Sequence, residues 1–352
     1  MGNLGLFNIG RSVVKYFGET IVLLMVVLSA TPARSENSAL HLLRIGTGGR
    51  TGVYFPIGKI IAQGITSHAS GGASGKDETG GVPGYIGVAQ NSAGSIDNVL
   101  GVASGDIEAG LVQADVAAWA FHGERVFKNN DKVRAIRAVA SLYPEKFQIV
   151  TRRDANIRTI NDLRGKRISI DEAGSGTLAV MRIVLEAHNM TEKDLLPVYL
   201  KPVFTHDKMV SGELQGFTVM AGAPMAAVSR LLDIGISLVP ISESAAARIA
   251  SQYPYLVPGK IPAGTYPGIG EIPTIEVHAL LIVSAAMEEA LVYQITAALW
   301  SQRTLSMLKT GHPQGKSIAP EKALVGISIP LHPGAKKYYQ EQSARFEGMP
   351  LK

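Results

Sequence analysis

Two glycine-rich segments hold the groups best suited to chemistry in this 352-residue chain. Gly46-Thr47-Gly48-Gly49-Arg50-Thr51-Gly52 follows the apolar Leu42-Leu43-Arg44-Ile45 and leads into a pattern carrying Ile57, Ile60, Ile61 and Ile65. Asp171-Glu172-Ala173-Gly174-Ser175-Gly176-Thr177 follows Arg167-Ile168-Ser169-Ile170 and leads into Leu178, Met181, Leu185 and His188. Both spacings predict a helix with one buried face. A turn of this kind leaves N–H groups unpaired at a helix N-terminus, with the positive end of the dipole behind them, and that is the chemistry of anion binding. Glycines also serve tight strand-to-helix turns for their own sake, so one such loop is a weak signal. Two at matching places are a stronger one. The candidate ligand contacts in these loops are Gly49, Thr51 and Gly52, and Ser175, Gly176 and Thr177.

Other side chains extend the set. Tyr54 stands at a helix start, where its hydroxyl could reach a solute, although it also suits a core position. Gln113 ends a predicted strand, and its amide can both donate and accept. Ser95 opens a helix carrying Ile96, Val99, Leu100 and Ala103 and suits its N-cap. Asp115 is the carboxylate best placed for an ammonium group, though it too fits an N-cap. Pro224, in the turn after a later strand, completes the candidates.

The elements that must position these residues recur. Ser104-Gly105-Asp106-Ile107-Glu108-Ala109-Gly110-Leu111-Val112 is echoed by Ser211-Gly212-Glu213-Leu214-Gln215-Gly216-Phe217-Thr218-Val219. Each copy reads as a helix stop with glycine in the left-handed position, then a buried strand. The copies lie 107 residues apart, far beyond a solenoid period. They fit two similar α/β lobes facing across a cleft, with ligand at the carboxyl ends of the strands. Strands are expected at Tyr85–Gln90, on both sides of Tyr143-Pro144, and at Ile275–Val283. The last two places are the expected crossings between lobes. The lobes are therefore 34–146 with 283–352, and 147–282, joined by a two-strand hinge. Residues 34–41 read as a polar lead-in and 70–84 as a surface loop. Thr191-Glu192-Lys193-Asp194 resembles a capping box, and one long amphipathic helix is expected from about Ala285 to Leu308.

Composition narrows the class. Hydrophobic residues at 46% describe a globular protein. The net charge of +5 is scattered, without the basic stripe and aromatics that nucleic-acid binding needs. Arg11 and Lys15 precede the apolar Ile21–Leu28 and the small residues Ser29 to Ala33, so residues 1–33 read as a signal peptide, with an uncleaved anchor as the alternative. The chain has no cysteine, which excludes disulfides, thiolate metal sites and a thiol nucleophile. An exported, cysteine-free protein suits the periplasm.

No catalytic constellation stands out. The eight histidines are dispersed without a zincin spacing, and no Gly-x-Ser-x-Gly elbow occurs. Gly315-Lys316-Ser317 ends like a P-loop, but Thr310 stands where the first glycine belongs. A Rossmann-type dinucleotide enzyme is the best enzymatic alternative, since Gly46, Gly48 and Gly52 approximate its fingerprint. The acids nearest to the ribose position, Asp77 and Glu78, fall in a loop rather than at a strand end. The reading is of a non-enzyme with no cofactor and no metal.

The chain resembles the TAXI group of solute receptors of tripartite (TRAP) transporters. The resemblance rests on Ile45-Gly46-Thr47-Gly48-Gly49 with Thr51-Gly52-Val53-Tyr54-Phe55-Pro56-Ile57-Gly58, and on Val88-Ala89-Gln90-Asn91-Ser92-Ala93-Gly94-Ser95-Ile96-Asp97-Asn98-Val99. Ala103 to Glu108 with Gln113 to Val116 and Trp119, Ser141-Leu142-Tyr143-Pro144-Glu145, Asp162 to Arg167, Gly174 to Thr177, Ile261 to Tyr266 and Ile329 to Ala335 continue it. It implies a type II periplasmic binding protein, monomeric, that captures a small anionic solute, an amino acid or a dicarboxylate, and hands it to the membrane subunits of a TRAP transporter. A periplasmic sensor feeding a signalling receptor is the alternative. Arg50 stands where the group usually has an uncharged residue, Gln215-Gly216 replaces its usual Asp-Ala, and Met220 to Ala223 lacks its usual aromatic; the resemblance therefore does not carry glutamate over as the solute.

Overall fold

The computed structural model describes residues 1–2, 40–67, 81–128 and 131–343. Residues 3–33 of the expected signal peptide, most of the polar lead-in and most of the loop at 70–84 lie outside the described residues. The described residues from Leu40 onward form one compact unit.

In chain order the strands and helices are β1 (His41–Gly46), α1 (Tyr54–Ile65), β2 (Tyr85–Gln90), α2 (Ser95–Ser104), β3 (Ala109–Gln113), α3 (Ala114–His122), β4 (Ile136–Arg152), β5 (Arg167–Ser169), α4 (Gly176–Glu186) and β6 (Leu196–Val198). Then follow α5 (His206–Val210), β7 (Gly216–Ala221), α6 (Ala226–Ser229), β8 (Ile236–Leu238), α7 (Glu243–Gln252), β9 (Val257–Ile261), β10 (Ile272–Ser284), α8 (Glu289–Leu299), α9 (Gln302–Gly311) and α10 (Pro333–Glu341).

The ten strands among the described residues belong to one sheet, ordered β2-β1-β3-β10-β4-β7-β5-β6, with β8 on β4 and β9 on β10. The order is the same read from either end. In each half the first strand of the unit (β1, β5) lies parallel between the second (β2, β6) and the third (β3, β7). The third then meets a long antiparallel strand, β10 in one half and β4 in the other. The repeated Ser-Gly segments thus deliver β3 and β7 to equivalent places. Gly105 and Gly212, at φ +83° and +79°, close α2 and α5 in the left-handed conformation that glycine adopts without strain.

β4 and β10 run through the middle. β4 pairs with β10 up to Lys146 and with β7 from Lys146 onward, so Tyr143-Pro144 lies inside one continuous strand. β10 pairs with β9 up to Glu276 and carries β3 beyond Ala279. Where the pairing changes, Lys146 and Glu276 form an ion pair.

Strand alternation sends neighbouring residues to opposite faces, and each face has its own apolar layer. Leu111 and Leu281 pack with Ile57 and Ile61 of α1 and Ile295 of α8. Val112, Leu280 and Ile282 pack with Val99 of α2, Trp119 of α3 and Val184 of α4. Helices therefore cover both sides of the sheet.

Two local expectations change. The helix expected over Ala285–Leu308 is two helices, α8 and α9. Ser301 breaks it because its hydroxyl caps α9 by accepting the Thr304 N–H, an alternative to continuing the turn. Ser95 is the first residue of α2 rather than its cap, a place taken by Gly94 at φ +121°, and its hydroxyl turns to the Gln113 N–H instead. The capping box at Thr191 and Asp194 forms around a short 3₁₀ turn.

Candidate functional site

The loops that follow β1, β2 and β5 meet the carboxyl ends of β3 and β7 around one cavity of about 580 Å³ of empty space, including its mouth. Its wall contains Gly49, Thr51, Gly52, Tyr54, Ser95, Gln113, Ser175, Gly176 and Thr177. Two sequence candidates do not reach it. Pro224 lies beyond the wall formed by Ala221 and Met225. Asp115, in the first turn of α3, is buried behind the wall and spends one oxygen on the Val116 N–H. Arg50 is exposed and sits over the Phe55 ring, outside the wall.

Each half contributes a helix N-terminus. Among the described residues the N–H groups of Val53, at the start of α1, and of Gly176 and Thr177, at the start of α4, have no acceptor. These are the orphan donors of a helix end, and here they border a cavity. The third helix start is occupied. The N–H groups of Ile96 and Asp97 in α2 donate to the Gly174 carbonyl, at 3.1 and 3.3 Å. Gly174 reaches across at φ +87°, and Gly176 must lack a side chain, since a Cβ there would stand 2.5 Å from the Gln113 amide. Lys201 adds a second bridge between the halves, donating to the Ser92 carbonyl at 3.2 Å while paired with Glu172 at 2.9 Å.

The hydroxyls of Ser175 and Thr177 are already engaged. Ser175 Oγ caps α4 through the Leu178 N–H, and Thr177 Oγ1 accepts the Met220 N–H, both at 3.1 Å. Both also hydrogen-bond the Asp171 carboxyl, which restrains its rise. Gln113 Oε1 is buried without a donor.

Glu145, Asp171 and Lys201 belong to the wall and were not among the sequence candidates. Glu145 accepts from Tyr54 Oη at 3.0 Å, and Tyr54 in turn stands 3.5 Å from Ser95 Oγ. Burial pushes the Glu145 carboxyl well above the usual range; the Tyr54 hydrogen bond opposes this and Asp115 adds to it. Burial pushes Asp171 up to about 6, against donation from the Glu172 N–H, and pushes Asp115 up to about 7. In the sequence Glu145 appeared only as the last residue of the motif Ser141-Leu142-Tyr143-Pro144-Glu145, within a predicted strand. Asp171 opens the second glycine loop. Nothing local marked Lys201.

β2 ends on Gln90, where a dinucleotide enzyme would present its acid to the ribose.

A model of the NMT1-like family matches residues 45–343. Among solved structures, a protein from Bordetella bronchiseptica RB50 is similar with a TM-score of 0.50 at 16% identity, covering 85% of this chain and 88% of that one. The periplasmic aliphatic sulphonate binding protein SsuA from Escherichia coli gives 0.42 at 13%, over 78% and 81%. An ancestral arginine-binding protein bound to arginine gives 0.41 at 13%, over 85% and 97%. At such identities the likeness is one of fold. The fold itself is a mixed α/β sheet with helices on both faces.

Proposed function

We propose that this chain, which belongs to the NMT1-like family, is an extracytoplasmic receptor that binds a small carboxylate, an amino acid or a dicarboxylic acid, reversibly between two lobes. The observation that carries the reading is the pair of helix N-termini, one from each half, whose N–H groups have no acceptor among the described residues and border one cavity. Both present N–H donors with the helix dipole behind them, which favours a carboxylate. A site shared by two halves binds most tightly when the halves are together, so solute and closure are linked. The lobes of the sequence reading, 34–146 with 283–352 and 147–282, are proposed to pivot on β4 and β10 where Lys146 and Glu276 meet.

The finer assignment follows the TAXI resemblance. The receptor is exported after loss of residues 1–33, acts as a monomer in the periplasm, and delivers its solute to the membrane subunits of a TRAP-type transporter. It releases the solute unchanged.

A thermal-shift screen tests the binding class. The protein is stripped by unfolding and refolding, then offered carboxylates, amino acids, amides, an aliphatic sulfonate and sugars. A ligand at a hundredfold over its Kd stabilises the fold by about 2.7 kcal/mol, a clear rise in Tm. Stabilisation by a neutral sugar and by no carboxylate overturns the proposal.

A further inference from the structure

The donors of the two helix starts explain one pole of a solute. Acceptors stand beside the same helix starts: Tyr54, the first residue of α1, donates to Glu145, and the Gln113 amide lies against Gly176, the first residue of α4. Glu145 is 1% exposed, and its one hydrogen bond among the described residues comes from Tyr54. Gln113 Oε1, 3% exposed as a residue, has no donor at all. Ser95 Oγ adds a third acceptor beside Tyr54. An ammonium group brings three N–H donors and a positive charge, and so matches this wall.

Among the described residues no cation supplies that match. Lys201, the one basic residue of the wall, is paired with Glu172. Lys146 follows Glu145 on the strand, points to the other face and is paired with Glu276. β10 sets Val277 opposite Glu145, with Glu276 and His278 to either side. α1 contributes Tyr54, and α3 contributes Asp115, a second buried carboxyl with one oxygen unpartnered. The segment after β5 contributes Asp171, and β4 itself contributes Tyr143, whose hydroxyl is also unpartnered. A buried carboxyl in such company holds a proton when the cavity lacks a cation, because ionising there means burying a charge without a partner.

We propose that Glu145 is the partner of a protonated amine on the solute, and that the amine displaces a proton from Glu145 as it binds. The inference rests on the proposed carboxylate site and adds an ammonium contact beside it. The neutral Glu145 carboxyl and the ammonium of the solute give a carboxylate–ammonium pair, and the proton leaves to solvent. No covalent bond other than that O–H is broken. The solute is thus an amine-bearing carboxylate, and a diacid of the same length lacks the group that takes the proton's place.

Calorimetry on the stripped protein separates the claims. The probes are matched pairs that differ only in the amine: L-alanine and propionate, L-aspartate and succinate, L-glutamate and glutarate. At least one amino acid is expected to bind a hundredfold or more tightly than its partner. Titrations in phosphate and in Tris at pH 7 should differ in enthalpy by the ionisation heat of about one proton, released. Affinity should fall up to tenfold from pH 7 to pH 6, since each binding event must displace a proton that lower pH returns. Glu145→Gln keeps the shape and should abolish both the proton release and the pH dependence; circular dichroism checks that it folds, and the buffer comparison on the unaltered protein stands without it. A diacid or simple acid binding as well as its amino acid, or binding without proton release, overturns the role of Glu145 and leaves the carboxylate site. Binding of none of the six probes, with a sugar stabilising the protein in the thermal screen, overturns the underlying reading instead.

Discussion

Asp115→Asn should reverse its effect on stability with pH. The carboxyl is 1% exposed and fully enclosed behind the cavity, with Oδ1 on the Val116 N–H and Oδ2 without a partner. Burial raises it from 3.8 to about 7. Its folded value lies above its unfolded one, so the folded state holds the extra proton and stability falls as pH rises between the two. Each unit of difference amounts to about 1.4 kcal/mol. From pH 5 to pH 8 the slope runs nearly full until about 7 and then flattens, for a loss of about 2.5 kcal/mol through this one group. Asparagine cannot ionise and removes that loss. Its amide still accepts from Val116, but it sets an N–H donor where no acceptor stands, at a constant cost of about 1–3 kcal/mol. Urea unfolding of the stripped protein at pH 5 and pH 8 measures the difference. The variant should gain about 2.5 kcal/mol on the wild type between those pH values, starting less stable at pH 5. An equal ΔΔG at both values refutes the reasoning, because it means that Asp115 carries its charge at pH 5 as well.

Gly176→Ala should drive a methyl group into the Gln113 amide, 2.5 Å from the new carbon. Overpacking of this kind costs about 1–3 kcal/mol, and the displaced amide should weaken solute binding at least tenfold by calorimetry; unchanged affinity removes Gln113 from the contact set. Lys201→Met should break the bridge to Ser92 and raise the Kd about fivefold, the equivalent of about 1 kcal/mol, with little change in the Tm of the stripped protein. Ser175→Ala should cost about 1 kcal/mol of stability through the lost cap of α4, read as a lower urea midpoint. Mass and N-terminal sequence of protein from osmotic-shock fluid should show loss of residues 1 to about 33; an intact Met1 on membrane-bound material refutes export.

The two glycine loops, the helices after them and the repeated strand entries at Ser104 and Ser211 were legible in the sequence. These are local features. A helix face is written in i, i+3 and i+4 spacing, and a left-handed stop needs glycine at one position, so a short window contains the cause. The pairing of the halves was legible only as a short segment repeated 107 residues further on. The break at Ser301 and the turn of Ser95 away from its cap were not, because a serine hydroxyl takes the best available N–H, and in the second case that N–H belongs to Gln113, brought near by the sheet. Asp115 was read as a ligand contact because it is an acid near a strand end. Tertiary packing put it one layer too deep, and put Glu145 at the cavity in its place. Tyr54 and Glu145 are 91 residues apart, and Lys201 and Ser92 are 109 apart. No spacing encodes such meetings. They follow from the order of strands in the sheet, which is set by hydrogen bonding and apolar burial summed over both faces, and that sum exists only when the whole chain has folded.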